Sequence, residues 1–558
     1  MRGPQVEPLR LVPKAGSAST ITSRTTRVFR ATQQIVPLAV IKARRRRKKI
    51  EQFLSAITTG RNGHERYSIA KFLAFEKFMK SASLLRVFTV LIVNPLPGLL
   101  VALIPSVIPL ANPLEGVAAN RNFFIQVIIV VFFVAVGVIM HIQAGANIPR
   151  HYYSNLETVA VSLLCACIHV VAVFGIASCW RFPIPFLWGT GTPIFTANLC
   201  ISHLVVLRKR LFGPAGLITA TLVYVPAVVI QFSQVLIYPT FSALFERSSG
   251  AQQIIMTILF PFVKYAMRKL LRKYTKRLGD RGGEVAVSGV EICGTLYQSM
   301  ILQSAPSGVA TIIIMSIDIV QGLLTLRMFM EKKSVVRQNQ IITTAFRVLR
   351  NNQTRETMIS STSSDSGLLL APAAVRAPAV LPFANSSGPS VVNIPGKEPQ
   401  PIDNWRPEEQ HQVIRHALEL VSTAETILLM EYFEVTIPVI NALFISIACR
   451  FPSSEYDPKL SAYVDNPSCL PPVLKAIGLY SCLQMLSLVG MHLVMKSRYG
   501  LSALYHLVFT LEYHARSIQG KMLGWLVVIL HFNGVHFGTD LSFRLDFQTQ
   551  GNSTSTNT

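Results

Sequence analysis

Residues 122–141 read NFFIQVIIVVFFVAVGVIMH, twenty positions without an Asp, Glu, Lys or Arg. At 1.5 Å per residue, a helix of that length covers the ~30 Å hydrocarbon layer of a bilayer. Windows of this kind recur along the chain. They lie at 87–110, where four prolines interrupt, and at 158–180, 184–207, 217–245, 285–303, 308–326, 427–449, 473–495 and 522–538. The stretch 250–263 is marginal because it is short and ends at Lys264, and 501–511 is shorter still. The expected fold is therefore all-α, a polytopic transmembrane helical bundle of about 10–12 spans. Period-2 alternation, the mark of a membrane barrel strand, is absent.

Composition supports that reading. Of 558 residues, 50% are hydrophobic and 15% charged, against about 25% charged in an ordinary soluble domain. The net charge of +25 also suits a nucleic-acid binder. Its distribution argues against one, because Lys and Arg sit in short clusters between long neutral runs. No nucleic-acid partner is expected. With the run KARRRRKK at 42–49 placed in the cytosol, the more basic connections fall on the same side: Arg208 to Arg210, Lys264 to Arg281, Lys332 to Arg337, and Lys496 with Arg498. The alternation requires 250–263 to cross, and the side of the C-terminus stays open.

Several segments fall outside the spans. Residues 1–82 read as a basic, disordered cytosolic region without the apolar core of a secretory signal; a transit-peptide-like composition is the minor alternative. Residues 331–404, rich in Ser and Pro, read as a flexible cytosolic linker between a first bundle at 83–330 and a second helical part at 405–540, with a disordered tail at 541–558. Residues 407–425 have the periodicity of an amphipathic helix. So do residues 264–278, in which Arg268, Lys269, Arg272, Lys273, Lys276 and Arg277 surround a stripe of Met267, Leu270, Leu271, Tyr274 and Leu278. Such a helix lies among anionic lipid headgroups, either as a specific lipid or partner site or as an ordinary positive flank. The membrane of residence is expected to be the plasma membrane or an endomembrane, with mitochondria as the minor alternative.

A search for catalytic signatures finds no phosphate-binding loop, zinc-protease helix, nucleophile elbow or kinase set. Neither an enzyme activity, a cofactor nor a metal site is expected. Cys449 and Cys469 flank one connection, and a disulfide there is one option in an oxidising lumen. His531 and His536 read as interfacial residues rather than metal ligands.

The sharpest signal is a pair of helices joined by Ala305, Pro306 and Ser307. Ser288, Glu291, Thr295 and Gln298 share one stripe of the first; Thr311, Asp318, Gln321 and Thr325 share one stripe of the second. Glu291 and Asp318 then face inward, both about 18–23 Å from the turn. Glu431, Glu434 and Asn441 form a third stripe around Pro438. Charged groups in a membrane are costly unless paired, protonated or hydrated, about 2.5–3.5 kcal/mol each on insertion scales. Glu291, Asp318 and Glu434 are thus candidates for an ion or proton site in the path of a small solute. Equally, they can be structural glue, although no basic partner is evident inside the spans.

The runs EVAVSGVEICGTLYQSMILQSAPS, DIVQ, EYFEVTIPVI, FPSSEYDP and HFGTDLSF resemble a group of uncharacterised multi-pass membrane proteins of oomycetes, over roughly residues 80–545. The resemblance implies a water-mould membrane protein and carries over no catalytic residue. Passage of a small solute or ion is the preferred functional expectation; a non-transporting membrane scaffold or receptor is the alternative.

Overall fold

The computed structural model describes residues 67–212, 217–304, 308–330, 340–362 and 406–538. The basic run at 42–49, the 305–307 turn, most of the Ser/Pro-rich linker and the 541–558 tail lie outside the described residues. The fold is all-α. In chain order the helices are α1 Ile69–Ser81, α2 Leu84–Val93, α3 Leu96–Leu103, α4 Arg121–Gly145, α5 Asn155–Cys179, α6 Leu187–Leu211, α7 Leu217–Arg247, α8 Gly250–Thr275, α9 Gly282–Ser304, α10 Gly308–Met330, α11 Ile341–Thr362, α12 Pro407–Ala448, α13 Pro458–Asp465, α14 Leu470–Tyr499, α15 Ala503–Tyr513 and α16 Ala515–Leu530.

Seven helical stretches among the described residues are long and apolar enough to cross a membrane. They are Leu84–Val107, Arg121–Gly145, Asn155–Cys179, Leu187–Arg208, Thr221–Ser242, Glu408–Ala448 and Pro467–Tyr499. This is the architecture of a multi-pass membrane protein. The remaining expected spans are also helices, α8, α9, α10 and α16, and three of them carry the buried charges described below.

Large apolar side chains cover the outside: Leu85, Phe88, Ile92, Leu156, Val171, Val205, Val229, Leu486 and Leu493 are all exposed. Meanwhile Glu284, Glu291, Lys264, Arg268, Glu431 and Lys521 are buried. A water-soluble domain does the reverse. An apolar outer wall around a charged interior fits a hydrocarbon surround, where burying polar groups is favourable because their alternative is lipid.

Contacts sort the connections into two ends. At one end Arg86 meets Glu512 at 2.6 Å, Arg210 meets Glu157 at 2.5 Å, Arg516 donates to Asn155 at 3.0 Å and the Ser68 N–H donates to Asp280 at 2.6 Å. At the other, Ser106 lies 3.2 Å from His531, Ser453 donates to the Ser106 carbonyl at 2.8 Å, and Phe186 donates to the Gly538 carbonyl at 3.0 Å. The first end carries exposed Lys77, Lys80, Arg150, Arg208, Lys273, Lys276, Arg277, Lys496 and Arg498. α15 stays near this basic end, and α16 runs from it to the opposite one.

Three segment boundaries differ from expectation. Within 1–82, residues 69–81 are helical because Phe72, Phe75 and Phe78 recur at helical spacing and bury, and Ser68 caps the Lys71 N–H. Within 331–404, α11 buries Ile341, Ile342, Ala345, Phe346 and Leu349, and the Phe346 ring stacks on Phe72 at 4.2 Å. The amphipathic helix expected at 407–425 and the span at 427–449 are one helix, α12, of 42 residues. At ~1.5 Å per residue it measures about 63 Å, twice a bilayer core.

Glycine sets one contact. A Cβ on Gly137 of α4 would lie 2.5 Å from the Gly520 carbonyl oxygen and 2.9 Å from the Gly524 nitrogen of α16. The sequence GKMLG at 520–524 is a small-xxx-small pattern that lets the two backbones touch.

Candidate functional site

α9 is enclosed along nearly its whole length, by α7, α8, α12, α14 and α16. An enclosed helix is ordinarily apolar all round. This one carries Glu284, Ser288, Glu291, Thr295 and Gln298 on a single stripe, and each is buried. From Glu284 to Ser299 the stripe extends about 22 Å along the helix axis. Neighbouring helices supply matching groups at each level.

At the middle level the Glu291 carboxylate is clamped by α8. Lys264 Nζ lies 2.8 Å from it, and the Arg268 guanidinium holds its other oxygen. Lys264 and Arg268 are four residues apart, so they share a helix face. Gly294 makes room for the Lys264 stem, whose carbons lie 3.2–3.3 Å from where a Cβ would be. Lys264 also reaches the Glu434 carboxylate of α12 at 3.5 Å. Pro438 has no N–H to give to the Glu434 backbone carbonyl four residues back, so α12 loses one helix bond at this level.

Two further carboxyl groups complete the cluster. Asp318 of α10 accepts from Gln298 Nε2 at 2.7 Å. The Tyr480 hydroxyl of α14 accepts from Gln484 at 3.2 Å. Glu431 is buried three residues before Glu434, on the same face of α12. Four carboxyl groups from three helices therefore share two cations. Among the described residues no Lys, Arg or His forms an ion pair with Asp318 or Glu431.

A second cluster lies toward the basic end and was not foreseen. Lys521 of α16 sits 2.9 Å from Glu284, and it donates to Ser288 at 2.8 Å and to Ser517 at 2.9 Å. Lys71 of α1 lies 2.8 Å from Glu425 and 3.0 Å from His514 Nε2, which is 3.5 Å from Glu425. Tyr67, just before α1, packs its ring 4.7 Å from the Lys71 ammonium, and burial raises its hydroxyl pKa far above the usual phenol value. The signal available in the sequence was the solitary Lys521 beside an apolar run and the Glu425 before another.

The expected site residues thus divide. Glu291 and Glu434 come together on Lys264. Asp318 stands beside them, joined to α9 through Gln298, while α10 packs mainly on α8 and α14. The expected lack of a basic partner is corrected: Lys264 and Arg268, read as a membrane-surface flank, point inward. Arg268 is 2% exposed and contacts Glu291, so it is not a headgroup contact. Lys269, Lys273, Lys276 and Arg277 are exposed, and Arg272 is half-buried. Both Cys449 and Cys469 are free thiols. His531 lies against Ser106, and His536 lies 2.8 Å from the Ala111 carbonyl. Among the described residues no group of three His, Cys, Asp or Glu could hold a metal ion.

Comparison with protein-family models, with curated proteins and with solved structures finds no match to this chain. The functional reading therefore rests on the site itself.

Proposed function

We propose that this multi-pass membrane protein moves a small solute or ion across the bilayer, with the carboxyl cluster of α9, α10 and α12 as its ion or proton site. One observation carries the reading: three buried carboxyl groups, Glu291, Glu431 and Glu434, and the half-buried Asp318 stand beside only two cations. A purely structural ion pair needs equal numbers, since every uncompensated buried charge is costly. An excess of acid is sustained by protons or by a bound cation, and either can be exchanged. Glu291 holds Lys264 and Arg268 in place, while Asp318, Glu431 and Glu434 are the exchanging groups. The breaks at Pro438 and Pro261 are of the kind that lets transporter helices flex around a midplane site.

The basic end is cytosolic in this account, by the excess of Lys and Arg there. Exposed Lys269, Lys273, Lys276 and Arg277 then contact anionic headgroups of the inner leaflet. α16 ends on the far side, and a plasma membrane or endomembrane is the expected residence. No enzyme activity or cofactor is part of the proposal.

The scaffold alternative draws on the second cluster, where Lys71, Lys521, Glu284 and Glu425 balance in charge. Such a closed network fixes helix positions and moves nothing. Proton uptake into proteoliposomes separates the two. The wild type should dissipate an imposed pH gradient, and Asp318→Asn with Glu431→Gln should cut the rate about tenfold or more. A wild type no faster than empty vesicles would favour the scaffold.

A further inference from the structure

A cavity of about 40 Å³ lies between α4, α7 and α16. That is room for about two water molecules. Most of its wall is apolar, with Val134, Val138, Phe232, Val235 and Val528 among the lining residues. Three polar side chains interrupt the wall: His141 of α4, Gln231 of α7 and Lys521 of α16. Each is buried, at 5% exposure or less.

The hydrogen bonds of these three leave one acceptor and one donor over. His141 Nδ1 lies 3.1 Å from the Gly137 carbonyl, so the ring proton sits on Nδ1 and Nε2 is an acceptor. Among the described residues nothing donates to that nitrogen, and Gln231 Nε2, a donor, finds no acceptor. A buried polar group left unpaired is costly. Two of opposite sense on one cavity call for a molecule that both donates and accepts. Lys521 directs its three N–H groups to Glu284, Ser288 and Ser517, at 2.8–2.9 Å, so none is left for an anion. A metal cation would meet the Lys521 charge and no carboxylate on the lining. An organic ligand is larger than the space. Water fits the volume and supplies both partners.

We infer that this cavity is a hydration site, in which about two water molecules join His141 Nε2 to Gln231 Nε2 beside the Lys521–Glu284 pair. Lys521 bonds Ser288, and a Cβ at Gly289 would lie 2.8 Å from Gln231 Nε2, so the waters stand one side chain away from the polar stripe of α9. They give His141 a partner for proton exchange inside the bundle. The site goes beyond the transport reading and does not depend on it.

X-ray footprinting of the purified full chain in nanodiscs tests it, because hydroxyl radicals made from a bound water oxidise the side chains beside it. Trp525 lines the cavity and is 8% exposed. Tyr432, 2% exposed and bonded to the Leu91 carbonyl, is not on the lining and serves as the control. Oxidation of Trp525 should run several-fold faster than that of Tyr432. His141→Leu with Gln231→Leu removes both polar partners, and should slow oxidation of Trp525 several-fold while leaving Tyr432 unchanged. Equal oxidation of Trp525 and Tyr432 in the wild type overturns the inference, and so does a Trp525 rate that the double variant leaves unaltered. Should the double variant fail to fold, a map of the wild-type chain that resolves ordered water decides. Density within hydrogen-bonding reach of His141 Nε2 is expected there, and its absence rejects the site.

Discussion

Lys264 Nζ lies 2.8 Å from the Glu291 carboxylate, inside the bundle and against α9 at Gly294. A lysine that sequence position assigns to a membrane surface is thereby an interior group. The relationship fixes the balance of charge in the whole cluster.

Removing Glu291 leaves Arg268 without its carboxylate and Lys264 with only Glu434, at 3.5 Å. Glu291→Gln should destabilise the protein by about 3–5 kcal/mol, the usual cost of breaking a buried ion pair from one side. Thermal unfolding in detergent, followed by loss of the monodisperse peak, measures it. An unchanged transition would mean that Lys264 and Arg268 find water or lipid instead.

The second cluster makes a paired test. Lys521→Met alone leaves Glu284 buried without its cation, and should cost about as much as the previous change. Lys521→Met with Glu284→Gln removes both charges and should recover most of the loss, because the two sites are coupled. Equal stabilities for the single and double variants would show that the pair does not act as a unit.

The fold was legible in the sequence wherever apolar runs were long. Residues 122–141 lie within α4, and all but the last residue of 158–180 lies within α5, because hydrocarbon leaves the backbone no alternative to a helix. Helical spacing likewise announced the α9 stripe, including Glu291. What escaped was pairing between distant segments. Lys264 and Glu434 are 170 positions apart, Lys71 and Glu425 are 354 apart, and no local pattern reports which face of α8 turns inward. The helices α1 and α11 escaped for a related reason. Each buries one face against the bundle and gains its stability by docking there rather than from its own propensity.

The α4–α16 contact is sterically exacting. Gly137→Ala places a methyl 2.5 Å from the Gly520 carbonyl oxygen, which is backbone and cannot rotate away. The helices must separate, at a cost of about 1–3 kcal/mol. Gly175→Ala, where a Cβ meets open space, is the control and should be neutral. Equal thermal stability of the two variants would contradict the close approach.

The end opposite the basic one should weaken in acid through His536. Its Nε2 faces two acceptors, the Ala111 carbonyl at 2.8 Å and Asn120 Oδ1 at 2.9 Å, so this nitrogen carries the proton. Protonating the other nitrogen as well buries a charge, and burial accordingly holds the imidazole pKa below its ordinary value. Folding thus favours the neutral ring. Its contribution is present above the unfolded histidine value of about 6.5 and is lost as pH falls below it. Limited proteolysis of this end should accelerate below about pH 6 in the wild type and show a flatter pH profile in His536→Gln. The same profile in both would assign the effect elsewhere.

The central claim is that the apolar outer wall faces lipid and that the two ends face opposite compartments. Single cysteines on a cysteine-free background test it directly, one replacing Lys276 at the basic end and one replacing Lys459 at the other. In sealed membrane vesicles a membrane-impermeant maleimide should label one of the two positions at once and the other only after permeabilisation. Labelling of both positions from the same side, or release of the chain from membranes by alkaline carbonate, would contradict the account.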